Sequence, residues 1–172
     1  CTDTGDIHLD HEIFLADLER LRETQAAPGS GELLLIGRRH VRSNNSWLHN
    51  SQRLVKGKSR CTLMLHPDTA KQQGISDGQK VKVISRVGSI EVEAEVTDEI
   101  MAGVVSIPHG WGHDRKGVKQ KIAQAHAGVS VNDLTDDRLI DKLSGNAAVN
   151  GVPVELVAIA SSSAGSTAIE LE

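Results

Sequence analysis

The stretch Gly37-Arg38-Arg39-His40-Val41-Arg42-Ser43-Asn44-Asn45-Ser46-Trp47 follows directly on the apolar run Leu33-Leu34-Leu35-Ile36. A strand that ends in glycine lets the backbone come close to a ligand. The paired arginines offer planar forks of donors that match phosphate oxygens. Asn44 and Asn45 each carry a donor and an acceptor, as reading a nucleobase edge requires. Residue types in this order point to a large anionic, nucleotide-like ligand at a strand end. A second set, His109 and His113 with Asp114, has an H-x3-H spacing. Zinc prefers that spacing on a helix, and Gly110 and Gly112 oppose a helix there, so no metal site is assigned. No Ser/His/Asp or Cys/His arrangement occurs at local spacing, and no catalytic residue is assigned. His40, His49, His66 and His126 are scattered and read as surface groups or as supports behind a site.

Charge sharpens the first reading. Between Leu33 and Pro67 stand seven basic residues (Arg38, Arg39, Arg42, Arg53, Lys56, Lys58, Arg60) and no acidic one. Elsewhere 12 of the 19 basic residues face all 23 acidic ones, and the whole chain carries −4. A basic segment in an acidic context is a local anion site rather than a general polyanion binder. A basic run is ordinarily a solvated loop; the neighbouring strand end and Asn pair argue for more here. A nucleic-acid binder would need stacking aromatics and a high isoelectric point. Aromatics make up 2% of the chain (Phe14, Trp47, Trp111) and the sequence pI is 6.1, so no nucleic-acid partner is assigned.

The elements that must position these residues follow from patterning. With 172 residues and 38% hydrophobic content the chain holds one domain with a real core, built from Val, Ile, Leu and Ala. Residues 10–25 show helix periodicity, with Leu9, Ile13, Leu18 and Leu21 on one stripe. The Ala26–Gly31 segment is a breaker and linker. Short strands are predicted at Leu33–Ile36, buried on both faces, at Thr62–Leu65, at Val104–Ile107 and at Val154–Ile159. Pro67 opens a helix that Gly74 stops, and Asp68 charges its start. Val81 and Val83 alternate with lysines, and Ile90, Val92, Ala94 and Val96 alternate with glutamates, the pattern of a half-buried antiparallel pair. Helical turns are predicted near Leu48–Val55 and Val118–Ala125. Six or so short strands with a few small helices make the fold mainly β, a small barrel with an N-terminal helical arm.

Cys1 and Cys61 give no disulfide framework, and Cys61 reads as a small buried hydrophobe. Two cysteines far apart with no signal sequence suggest a reducing compartment or a neutral role; a cytoplasmic setting is favoured, while the absent targeting segment says nothing of the parent protein's compartment. No apolar run is long enough to span a membrane. The Cys1 start and the Leu171-Glu172 end resemble a cloning scar ahead of a tag, so the chain is expected to be an excised piece of a longer protein. Domains are predicted as an arm and linker at 1–31, a barrel at 32–160 and a disordered tail at 161–172.

Five blocks, in order, carry a resemblance. They are Leu35-Ile36-Gly37-Arg38-Arg39 with Ser43-Asn44-Asn45-Ser46-Trp47; His66-Pro67-Asp68-Thr69-Ala70; Gly74-Ile75-Ser76-Asp77-Gly78 with Val81-Lys82-Val83; His109-Gly110-Trp111-Gly112; and Val131-Asn132-Asp133-Leu134-Thr135. Together they resemble the C-terminal molybdopterin-dinucleotide-binding domain of dimethyl sulfoxide reductase-family molybdenum and tungsten oxidoreductases.

The resemblance implies a six-stranded double-psi β-barrel that clamps one half of bis(molybdopterin guanine dinucleotide). Metal and any 4Fe-4S cluster would belong to upstream domains, and this piece alone would not be catalytic. Partners would be those upstream domains and electron-transfer subunits. The implied cofactor-binding residues are Gly37, Arg38, Arg39, Ser43, Asn44, Asn45, Trp47, His109, Gly110, Trp111, Gly112, Asn132 and Asp133. Arg38 would meet the pyrophosphate or pterin beside an anion nest of backbone N–H groups. Arg39 stands at the alternate position and either shares the site or points away. Trp47 either walls the pocket or anchors the core. The alternative is a double-psi barrel serving as a binding or interaction module with no dinucleotide affinity.

Overall fold

The computed structural model describes residues 2–26 and 32–160. Most of the expected linker (27–31) and the expected tail (161–172) lie outside the described residues. The elements in chain order are α1 (Glu12–Ala26), β1 (Leu33–Arg38), α2 (Gln52–Val55), β2 (Thr62–Leu65), α3 (Pro67–Gln73), β3 (Lys80–Ile84), β4 (Ser89–Val96), β5 (Val104–Pro108), α4 (Lys121–Ala125) and β6 (Val152–Ala158). A single 3-10 turn spans Val131–Asp133.

The six strands close into a barrel in the order β1-β5-β2-β4-β3-β6. β1 pairs parallel with β5, and β2 parallel with β4; the remaining neighbours are antiparallel. This is the double-psi barrel that the resemblance implies. Alternation writes the core directly. In β4 the residues Ile90, Val92 and Ala94 are buried while Glu91, Glu93 and Glu95 face out. Leu35, Leu63, Leu65, Val81, Val83, Val105, Ile107 and Val152 complete the interior. Leu63 is fully buried at its centre. Leu63→Ala is expected to lower the unfolding free energy by about 2–5 kcal/mol, measured as a fall in urea midpoint at constant slope.

The connections follow the residues that forecast them. Pro67 sits in the first turn of α3, and the Asp68 N–H donates to His66 Nδ1 at 3.1 Å. Gly74, at φ 64°, closes the helix in the left-handed conformation and donates to Lys71 O. Asp77 Oδ1 accepts from the Val96 N–H at 2.9 Å, tying the Gly-Ile-Ser-Asp-Gly turn to the end of β4. Cys61 is buried, and burial pushes its thiol pKa up.

Three local expectations change. β1 is not buried on both faces: Leu33 and Leu35 point inward, and Leu34 is 40% exposed. A closed barrel gives each strand an outer face, and an apolar run conceals that alternation. The helical turns at 48–55 reduce to α2, preceded by a chain of turns from 41 to 50. The helix near 118–125 begins at Lys121, where Asn50 Oδ1 accepts from the Ile122 and Ala123 N–H groups. The apolar side chains of α1 (Ile13, Phe14, Leu15, Leu18, Leu21) are all exposed, so the helix buries no stripe against the barrel.

Candidate functional site

Parallel pairing decides where the site lies. Because β1 and β5 run side by side in the same direction, Arg38 stands opposite Pro108 at their C-terminal ends. The segments that follow, Arg39–Trp47 and His109–Gly112, therefore emerge from the same end of the barrel. The His109 N–H donates to Arg38 O at 3.3 Å and starts the contact. Gly110 completes it. A Cβ at Gly110 would stand 2.5 Å from Asn45 O and 2.6 Å from the Asn45 carbonyl carbon, and its φ is +89°. Only glycine permits that approach of two backbones. Gly112, at φ +99°, is held as tightly against Ser130, with 2.7 Å from a would-be Cβ to the Ser130 Cβ. Asn44 and Asn45 themselves take positive φ (41° and 61°), a conformation asparagine tolerates better than most side chains. The turn they form is locked by Ser43, which is buried and whose N–H and hydroxyl both donate to His40 O at 3.1 Å.

The two arginines point in different directions. Arg38 turns its fork along the barrel wall. Its guanidinium donates to Ser106 O at 2.5 Å, to Thr62 Oγ1 at 2.7 Å and to Arg60 O at 3.4 Å, and lies 3.8 Å from Glu95. Burial lowers its pKa, and the charge of Glu95 opposes that. With three of its donors directed at β2, β5 and the segment before β2, Arg38 braces the strands. Arg39 is exposed and bonds Asn45 Oδ1 at 2.5 Å, so its side chain points toward the loop pair. The Gly37 N–H donates to Asn150 Oδ1 at 2.8 Å and is likewise spent. β1 leaves its pairing with β6 after Leu35, and Asn150 supplies the acceptor that the next strand residue would have offered.

The remaining expected residues divide. The His109 Nε2 and Trp111 Nε1 atoms are buried at the loop with no hydrogen-bond partner. Burial and the nearby Arg39 charge lower the His109 pKa, favouring a neutral ring there. Trp47 is 83% exposed, which removes the core-anchor alternative. Asn132 is exposed, and Asp133 forms an ion pair with Arg115. Their turn reaches the loop through its neighbour Ser130, packed on Gly112, rather than through their own side chains.

Sequence reasoning left two participants unplaced. Asn150 stands in an Asn-Gly turn that signals a bend but not its distant bond. His49 is 1% exposed, stacked on Trp111 with ring centroids 4.0 Å apart. Its Nδ1 lies 2.7 Å from His113 Nε2. The eye-catching His109/His113 spacing thus hid a partner 64 residues away for His113. Among the described residues no three His, Cys, Asp or Glu side chains gather as a metal site.

Comparison with known proteins agrees with this geometry. Residues 33–153 match the family described as the molydopterin dinucleotide binding domain. A biotin sulfoxide reductase from Cereibacter sphaeroides is 36% identical over 102 residues, which are 58% of this chain and 13% of that protein. A dimethyl sulfoxide/trimethylamine N-oxide reductase from Rhodobacter capsulatus is 33% identical over 116 residues, again 13% of its length and 64% of this chain. The acetylene hydratase structure from Pelobacter acetylenicus covers 88% of this chain and 20% of its own at a TM-score of 0.61 and 22% identity, a likeness of fold. The chain therefore spans about an eighth of the relatives it matches. No helix among the described residues is long and apolar enough to cross a membrane. The match to most of the barrel, on strands that deliver both loops to one end, means that this chain belongs to the molydopterin dinucleotide binding domain family.

Proposed function

We propose that the end of the barrel where Asn45 meets Gly110 holds one half of a bis(molybdopterin guanine dinucleotide) cofactor within a longer molybdenum or tungsten oxidoreductase. The observation that carries this reading is the contact of the two loops at Gly110, which leaves no room for a side chain. The donor set fits such a group. Buried Trp111 Nε1 and His109 Nε2 need partners, Asn44 presents an exposed amide, and Arg39 supplies the charge that a pyrophosphate seeks. When bound, the cofactor would supply the redox chemistry. This chain's residues bind, orient and exclude water: Arg39 and the Asn pair recognise polar edges, and the 109–112 loop makes the wall. The chain alone is not expected to be catalytic, because the redox chemistry would belong to the bound cofactor. The relatives that act on biotin sulfoxide and on dimethyl sulfoxide differ in substrate while sharing this domain, so substrate choice is assigned to the regions outside the barrel.

Arg39→Ala in the full-length protein tests the reading. A charge-assisted hydrogen bond is worth about 1.5–3 kcal/mol, so bound GMP, released by acid and quantified per chain, should fall by about tenfold or more. The urea midpoint should stay put, because the Arg39 side chain bonds Asn45 Oδ1 within the neighbouring turn. Unchanged GMP would remove Arg39 from the site.

A further inference from the structure

His49, at 1% exposure, is a buried polar side chain of the site end that no binding role absorbs. It follows the Asn44-Asn45 turn, yet its ring faces the other loop. Trp111 stacks on it at 4.0 Å with a 34° tilt, and His113 meets it edge-on at 87° with nitrogens 2.7 Å apart. Trp111 is also closed in by Gly128, where a Cβ would stand 2.8 Å from the indole Cε3. The indole therefore has little freedom beyond what His49 allows. We infer that His49 is a positioning residue: it fixes the Trp111 ring and, through His113, the far end of the 109–113 loop, so that the loop keeps its cofactor-facing shape. This assignment rests on the reading of that loop as the cofactor wall.

The chemistry of the pair is specific to imidazole. Two neutral rings share one proton between Nδ1 and Nε2, one donating and the other accepting. Doubly charged rings would repel across the same distance. A Phe at 49 keeps a stacking surface and loses the bond; a Gln keeps a polar tip and loses the stack. The surroundings oppose charge on His49. Burial pushes its pKa down to about 4, the His113 charge adds to this, and the Gly110 backbone opposes it. Asp114 acts on His113 in the direction of protonation, and burial outweighs it. His40, Arg42 and Arg60 line the small cavity beside His49 and Trp111, and two of these are permanent cations. The sign follows. An unfolded imidazole binds a proton below about 6.5, whereas the folded ring resists until about 4. The folded loop therefore loses stability as pH falls from 6.5 toward 4.

Two readouts test the assignment. The 172-residue chain has two tryptophans, so Trp47→Phe leaves Trp111 as its sole indole reporter. In that background Trp111 emission should change on acidification with a midpoint well below 6.5, with far-UV circular dichroism unchanged. His49→Phe should abolish that step, and His113→Phe should shift it upward by removing the competing ring. In the full-length protein, His49→Phe and His49→Gln should each lower retained GMP by roughly fivefold or more, whereas a packing role alone would let Phe restore it. Trp111 emission that titrates identically with and without His49 would overturn the positioning role. Wild-type full-length protein without GMP would instead overturn the cofactor reading and, with it, the cofactor-facing part of this assignment.

Discussion

Gly110→Ala in the full-length protein is expected to abolish most cofactor retention. The added methyl would be placed 2.5 Å from Asn45 O, 2.6 Å from the Asn45 carbonyl carbon and 3.0 Å from the Ser46 nitrogen. All three are backbone atoms, so no flexible side-chain tip can swing aside. Positive φ at a residue with a Cβ adds about 1–3 kcal/mol of strain. The loops must part, and the donors at His109 and Trp111 then lose their alignment with Asn44 and Arg39. Bound GMP should fall by more than about tenfold, since about 1.4 kcal/mol corresponds to a factor of ten. Gly117→Ala is the matched comparison: φ is +98°, and nothing lies within 4 Å of its would-be Cβ. It carries a similar backbone strain without the collision, so its GMP content should stay near that of the wild type. Equal losses in both variants would mean that backbone strain, not the Asn45 contact, governs retention.

Arg38→Ala is expected to damage the barrel before it damages binding. The guanidinium bridges the carbonyls of Ser106 and Arg60 and the hydroxyl of Thr62, which itself donates to Glu95 at 2.5 Å. Truncation would leave these acceptors facing a void at the junction of β1, β2 and β5. Hydrogen bonds to a charged group contribute about 1.5–3 kcal/mol, and the urea midpoint should drop accordingly with an unchanged slope. Arg38→Lys should recover only part of the loss, because a point charge cannot span acceptors that a fork spans. A full-stability Arg38→Ala variant that lost its GMP would return Arg38 to the ligand contact the sequence suggested.

The contrast between Arg38 and Arg39 shows what was legible in the chain and what was not. The alternation in β4, Pro67 and Gly74 around α3, and the order of the five motif blocks are local signals, and each led to the observed element. The barrel's closure brings together the ends of β1 and β5, and the resemblance carried by the motif blocks had implied that the segments after them serve one cofactor. The direction of a side chain at a strand end is different. It depends on which distant acceptors remain unpaired, and Ser106 O and Arg60 O become visible only once β1, β2 and β5 are assembled. His49 could be read only as a surface group or a support behind a site: its partners Trp111 and His113 are far along the chain, and a lone histidine after a turn carries no mark of burial. Leu34 failed differently, since four consecutive apolar residues conceal which two face the core.

The most direct test of the central claim is the cofactor content of the full-length wild-type protein, purified from cells able to make the cofactor. Molybdenum, tungsten and acid-released GMP would be quantified per chain. The account predicts about one metal and about two GMP per chain. Neither metal nor GMP would contradict it and favour a barrel of this family reused as a binding module.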